Sequence, residues 1–171
     1  MPTDETKAEE TKSEPGRLQD RRILIVDDDP DIRESFEAAL QSEGALTQVA
    51  PDGNEAIRIV SEDPPELVVL DMMLPRRSGF LVLEKIKGWD DSPAVIMVTA
   101  NEGKRHQAYA ESLGVDRYLQ KPVPLIKLIT TAIELLALRD DLMEDDPDAP
   151  DEPDGASEEP NGDGSQTQEP D

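Results

Sequence analysis

The chain has 171 residues, no cysteine, one histidine and a formal net charge of -23, a size that accommodates about one domain. Lack of cysteine rules out disulfides, thiolate catalysis and cysteine-bound zinc, and fits a reducing compartment. The acidic balance disfavours nucleic acid as a partner; the longest apolar run, AVIMV, falls well short of the roughly 18 residues of a membrane span, and the polar N-terminus shows no signal peptide, so a cytoplasmic protein without membrane attachment is expected.

Residues 1–20 carry six acids against three bases and residues 144–171 twelve against none. Both segments are rich in Pro, Gly, Ser, Asp and Glu and lack apolar periodicity. They cannot bury enough surface to offset the entropy of ordering, so both are expected to be disordered acidic tails flanking a domain over 21–143.

Within that domain, short apolar runs alternate with helical patterns. ILIV (23–26) is the first run. A helix from near Asp29 or Pro30 puts Ile32, Phe36, Ala39 and Leu40 on one stripe and stops at Gly44. ALTQV (45–49) follows, then a helix with Ala56, Ile57 and Val60 inward. LVVL (67–70) precedes a helix from about Ser78 with Phe80, Leu83 and Ile86 inward, ending at Gly88. AVIMV (94–98) leads to a helix over about 103–113 before Gly114; here His106 reads as a plain surface histidine. VDRYL (115–119) leads through KPVP to a last helix reaching about Met143. Five strands and five helices in strict alternation predict an α/β fold: one doubly wound parallel sheet with helices on both faces.

Such sheets bind ligands at the carboxyl ends of their strands. Asp27 and Asp28 follow the first run, Asp71 the third and Thr99 the fourth, and Lys121 comes just after the fifth. Taken singly, each has an ordinary role as a cap, a strand end or a turn residue. Together they put three carboxylates, a hydroxyl and an ammonium on one edge of the sheet. Adjacent carboxylates at low dielectric call for a counter-charge, and a divalent cation is the usual one.

With these residues in place, the chain resembles the receiver domains of two-component response regulators over roughly residues 21–140. VDDDP is similar to the family's acidic pair, LDMMLPRRSG to its phosphoacceptor loop, VTA to its hydroxyl position and LGVDRYLQKP to its last strand and lysine. The resemblance implies a flavodoxin-like sheet of order 2-1-3-4-5. It also implies Asp71 as phosphoacceptor, and Mg2+ held by Asp27, Asp28, Asp71 and the Met73 carbonyl. Thr99 and Lys121 would bind phosphoryl oxygens, Thr99 and Tyr118 would form the switch, and the bond from Lys121 to Pro122 would be cis. Met73 and Asn101 stand where the family sets the lifetime of the acyl phosphate.

The implied function is a phosphorylatable signalling switch rather than an enzyme, with magnesium-dependent self-phosphorylation and slow self-dephosphorylation its only chemistry. Its partners would be a sensor histidine kinase or a histidine phosphotransfer protein and a downstream protein target. A homodimer or a heterologous partner would use the fourth helix, fifth strand and fifth helix, where the last helix carries more apolar residues than one sheet face covers. With no effector segment after residue 143, a stand-alone receiver like the chemotaxis and sporulation single-domain regulators is expected. Two other classes fit the residues less well. A haloacid-dehalogenase-like hydrolase would need an Asp where Met73 stands, and a non-phosphorylated interaction module on the same fold would not need the intact acidic set.

Overall fold

The computed structural model describes residues 15–100 and 103–144. Five strands, β1 (Arg22–Val26), β2 (Leu46–Ala50), β3 (Leu67–Asp71), β4 (Ala94–Thr99) and β5 (Arg117–Gln120), alternate with α1 (Pro30–Gln41), α2 (Gly53–Glu62), α3 (Gly79–Lys87), α4 (Lys104–Ser112) and α5 (Leu125–Glu144). The strands pair in parallel in the order β2-β1-β3-β4-β5, as the resemblance implied.

Alternation along the strands divides the core in two, because successive side chains leave a strand on opposite faces. Ile23 and Ile25 of β1, Leu67 and Val69 of β3 and Ile96 and Val98 of β4 meet Phe36 and Leu40 of α1 and Leu128, Ala132 and Leu136 of α5. Leu24, Val26, Val68, Leu70, Val95 and Met97 face the other way, onto α2, α3 and Ala110 of α4. Both faces are covered, so β3 and β4 are buried along their whole length.

The helix starts follow from local chemistry. Asp29 caps α1 by accepting the Asp31 N–H at 2.9 Å, with Pro30 in the first turn. Asp52 caps α2 through the Glu55 N–H at 2.9 Å, and Ser78 caps α3 through the Leu81 N–H at 3.4 Å. Past α1 and α4 the chain turns at Gly44 and Gly114, each at φ 90°, a conformation that side chains with a Cβ resist. At the far end of α5, Arg21 joins Asp140 to Glu66. No helix among the described residues is long and apolar enough to cross a membrane.

Two expectations change here. Of the expected tails over 1–20 and 144–171, residues 1–14 and 145–171 lie outside the described residues, but 15–20 belong to the packed body and Glu144 ends α5. Leu18 is 1% exposed. Its N–H donates to the Glu43 carbonyl at 2.8 Å, and the Arg17 guanidinium pairs with the Glu43 carboxylate at 3.1 Å. The packed chain therefore begins before residue 21. His106 is also more than a surface histidine: it is half-buried, its ring stacks on Phe80, and its Nδ1 is buried without a hydrogen-bond partner.

Candidate functional site

The carboxyl ends of β1 and β3 are adjacent in the sheet, so the residues that follow them meet. Carboxylate oxygens of Asp27, Asp28 and Asp71 lie within 4.8 Å of one another. Their burial differs: Asp27 and Asp71 are 2% and 5% exposed, whereas Asp28 faces solvent. Lys121 reaches in from the loop after β5, and its Nζ stands 2.7 Å from Asp27 Oδ2 and 3.3 Å from Asp71 Oδ2. Two carboxylates side by side at low dielectric are tolerated because this ammonium lies between them.

The electrostatics follow from that arrangement. Burial first, and then the charge of Asp27, push the Asp71 carboxyl above its usual range, and Lys121 moderates the rise. For Lys121, burial alone would lower the pKa; the hydrogen bond to Asp27 and the charges of Asp71 and Asp27 outweigh it and raise the ammonium above its usual value.

Backbone groups hold the acids in place. Asp27 Oδ1 accepts the Asp29 N–H at 2.9 Å, and Asp71 Oδ1 accepts the Met73 N–H at 3.2 Å. The Met73 peptide thus lies against the Asp71 carboxylate, while its side chain is 66% exposed. Arg33 of α1 donates to the Asp27 carbonyl at 2.6 Å, a tie the sequence reading did not anticipate. Gly79 is needed for close approach: a Cβ there would lie 2.3 Å from the Asp71 carbonyl oxygen. Its N–H donates to the Met72 carbonyl at 2.9 Å, seating α3 on the acidic loop.

Thr99 ends β4 fully buried, and its hydroxyl points to the Met72 sulfur at 3.8 Å. The Lys121 N–H donates to the Thr99 carbonyl at 2.8 Å, and the bond from Lys121 to Pro122 is cis, as the resemblance implied. Tyr118 of β5 packs half-buried against the core with its hydroxyl inside. Burial pushes that phenol up, and the Thr99 hydroxyl holds the shift back. Asn101 lies outside the described residues. The structure thus gathers Asp27, Asp28, Asp71 and Lys121 into one cluster, and sets Thr99 and Tyr118 together beside it.

Comparison with known proteins agrees with this geometry. A family model described as the response regulator receiver domain matches residues 23–133. The response regulator MprA of Mycolicibacterium vanbaalenii is 36% identical over 115 residues, 67% of this chain and 50% of that protein, so the chain spans about half the length of the curated relatives it matches. Among solved structures, a CheY-like receiver domain protein from Methanospirillum hungatei gives a TM-score of 0.70 at 29% identity, covering 72% of this chain and 99% of that one. A receiver domain protein from Clostridium thermocellum gives 0.66 at 30% identity, covering 72% and 98%. Sheet order, acidic edge and the match over residues 23–133 agree, and the chain belongs to the response regulator receiver domains of two-component signalling.

Proposed function

We propose that this chain is a cytoplasmic receiver that accepts a phosphoryl group on Asp71 from a phosphohistidine, borne by a sensor histidine kinase or a histidine phosphotransfer protein, and thereby switches a protein-binding surface. One observation carries the reading: the Lys121 ammonium lies within 3.3 Å of the buried Asp71 carboxylate while bonded to Asp27 at 2.7 Å. A positive charge is thus ready beside the oxygen that would attack phosphorus.

In the transfer, an Asp71 carboxylate oxygen bonds to phosphorus as the bond from phosphorus to the histidine nitrogen breaks, the electron pair leaving with the imidazole. Such transfers need positioning and charge neutralisation more than covalent help. Lys121 neutralises phosphoryl oxygens as a compact point charge, and the Thr99 hydroxyl donates a hydrogen bond to one of them. Asp27, Asp28 and Asp71 are hard oxygen donors within 4.8 Å of one another, a set that suits magnesium, and the Met73 carbonyl would complete it. Magnesium there would supply positive charge against the phosphoryl oxygens.

As the switch, Thr99 would turn from Met72 toward the phosphoryl group, and Tyr118 would follow. The output surface would be α4, β5 and α5. Leu128, Ile129, Ala132, Leu135 and Leu136 of α5 are buried, whereas Ile126, Leu138 and Leu142 are 65%, 51% and 76% exposed, leaving apolar area for a second copy or a downstream target.

Incubation with magnesium and acetyl phosphate should add one phosphoryl group by intact mass, and the gain should vanish in Asp71→Asn. Equal labelling of that variant would overturn the assignment.

A further inference from the structure

Helix α4 is lightly anchored. Ala110 is the one buried residue in its span. What holds its inner side to the neighbouring helix is aromatic. The Phe80 ring stacks on His106 at 5.9 Å with 29° between planes, and meets Tyr109 edge-on at 5.0 Å and 69°. His106 and Tyr109 stand three residues apart, on one face of α4. The buried, unpartnered Nδ1 shows that His106 contributes a flat ring here rather than a hydrogen bond.

The other end of this contact is fixed to the acidic loop. Phe80 follows Gly79, whose N–H bonds the Met72 carbonyl at 2.9 Å and which sits so close to the acidic loop that a Cβ there would lie 2.3 Å from the Asp71 carbonyl oxygen. The backbone of 71–72 therefore cannot shift without moving the first turn of α3, and with it the Phe80 ring. Ring stacks have few good arrangements, so such a movement selects a pose of α4 rather than grading it.

We infer that Phe80, through His106 and Tyr109, is a positioning residue that couples the state of Asp71 to the pose of α4 by a route separate from Thr99 and Tyr118. The inference rests on the phosphoacceptor reading above, and its test distinguishes the two. In the full chain, amide resonances would be followed with and without magnesium and beryllofluoride, and loading would be checked by the mass gain from acetyl phosphate.

In the wild-type protein, residues 104–112 should shift together with Thr99 and Tyr118. In Phe80→Ala and His106→Ala, loading and the Thr99 and Tyr118 shifts should persist, while the α4 shifts fall by about half or more. His106→Phe, which keeps a flat ring, should restore them. Unchanged α4 shifts in both alanine variants, with loading intact, overturn the coupling and leave the phosphoacceptor reading standing. No mass gain in the wild-type protein overturns that reading, and the coupling falls with its trigger. Should Phe80→Ala fail to fold, Tyr109→Ala decides by the same criterion, because that side chain is 50% exposed.

Discussion

At the scale of single residues, the site holds charges that titrate in different pH ranges. Asp71 binds its proton more tightly in the folded chain than in the unfolded one. Stability from this group is therefore fully present below the ordinary carboxyl value of 3.8, and is lost as pH rises through the raised folded value. Asp71→Asn should accordingly melt above wild type at pH 7, with the difference closing below about pH 3.8 in thermal melts across that range. A lower melting temperature at pH 7 would contradict the cause given for the shift. Lys121 acts at the other end: its contribution holds at neutral pH and is lost as pH climbs past 10.5 toward its raised value. If Asp71 is the phosphoacceptor as proposed, Met73 should bear on the lifetime of its phosphoryl group. Its thioether cannot orient a water by hydrogen bonding, so the acyl phosphate should be long-lived, and Met73→Asn should speed phosphate release about tenfold or more. Release timed by intact mass after removal of the donor checks this.

At the scale of elements, the strongest constraints come from segments that touch the sheet at its two ends. At the amino end, residues 15–20 form a strap whose Leu18 joins the core on the face covered by α1 and α5. Leu18→Ala should cost about 2–4 kcal/mol, and a chain trimmed to begin at residue 21 should melt well below one beginning at residue 15. Equal melting temperatures would show the strap to be dispensable. At the carboxyl end, Gly79 lets α3 sit against the Asp71 backbone. Gly79→Ala should destabilise by about 1–3 kcal/mol, and should slow labelling by acetyl phosphate because the added methyl displaces the acceptor loop.

For the whole molecule, topology places the chemistry. Helices α1 and α5 cover one face and α2, α3 and α4 the other, and the order β2-β1-β3 sets the ends of β1 and β3 side by side at the change of winding direction. Lys121 offsets only one of the three carboxylate charges gathered there, so a divalent cation should relieve the remaining repulsion. Magnesium at about 100 times its dissociation constant should therefore stabilise the fold by about 2.7 kcal/mol. Asp28→Asn, at a solvent-facing position, should lose most of that gain while melting at or above wild type without magnesium, because one repelling charge is gone. Calorimetry with and without the ion tests this.

Much of this architecture can be read along the chain, because a parallel sheet covered on both faces requires uninterrupted apolar runs and amphipathic helices between them. ILIV, LVVL and AVIMV carry that signature, and the acids directly after the first two are equally visible. What the linear order does not carry is which distant groups meet. Lys121 bonds an Asp27 that lies 94 residues away. Asp27 is buried while its neighbour Asp28 is exposed, and this depends on how the β1–α1 turn meets Lys121 and Arg33. Leu18 is an isolated apolar residue in a polar stretch, and nothing local marks it as core; burial comes from the cluster on the face of α1 and α5, against which the Glu43 and Gly44 carbonyls hold the chain. His106 stands in a polar helix, and its role comes from Phe80 on another helix. Periodicity reports what each segment does to its own backbone and faces, whereas burial of a single side chain depends on the surfaces that other segments bring to it.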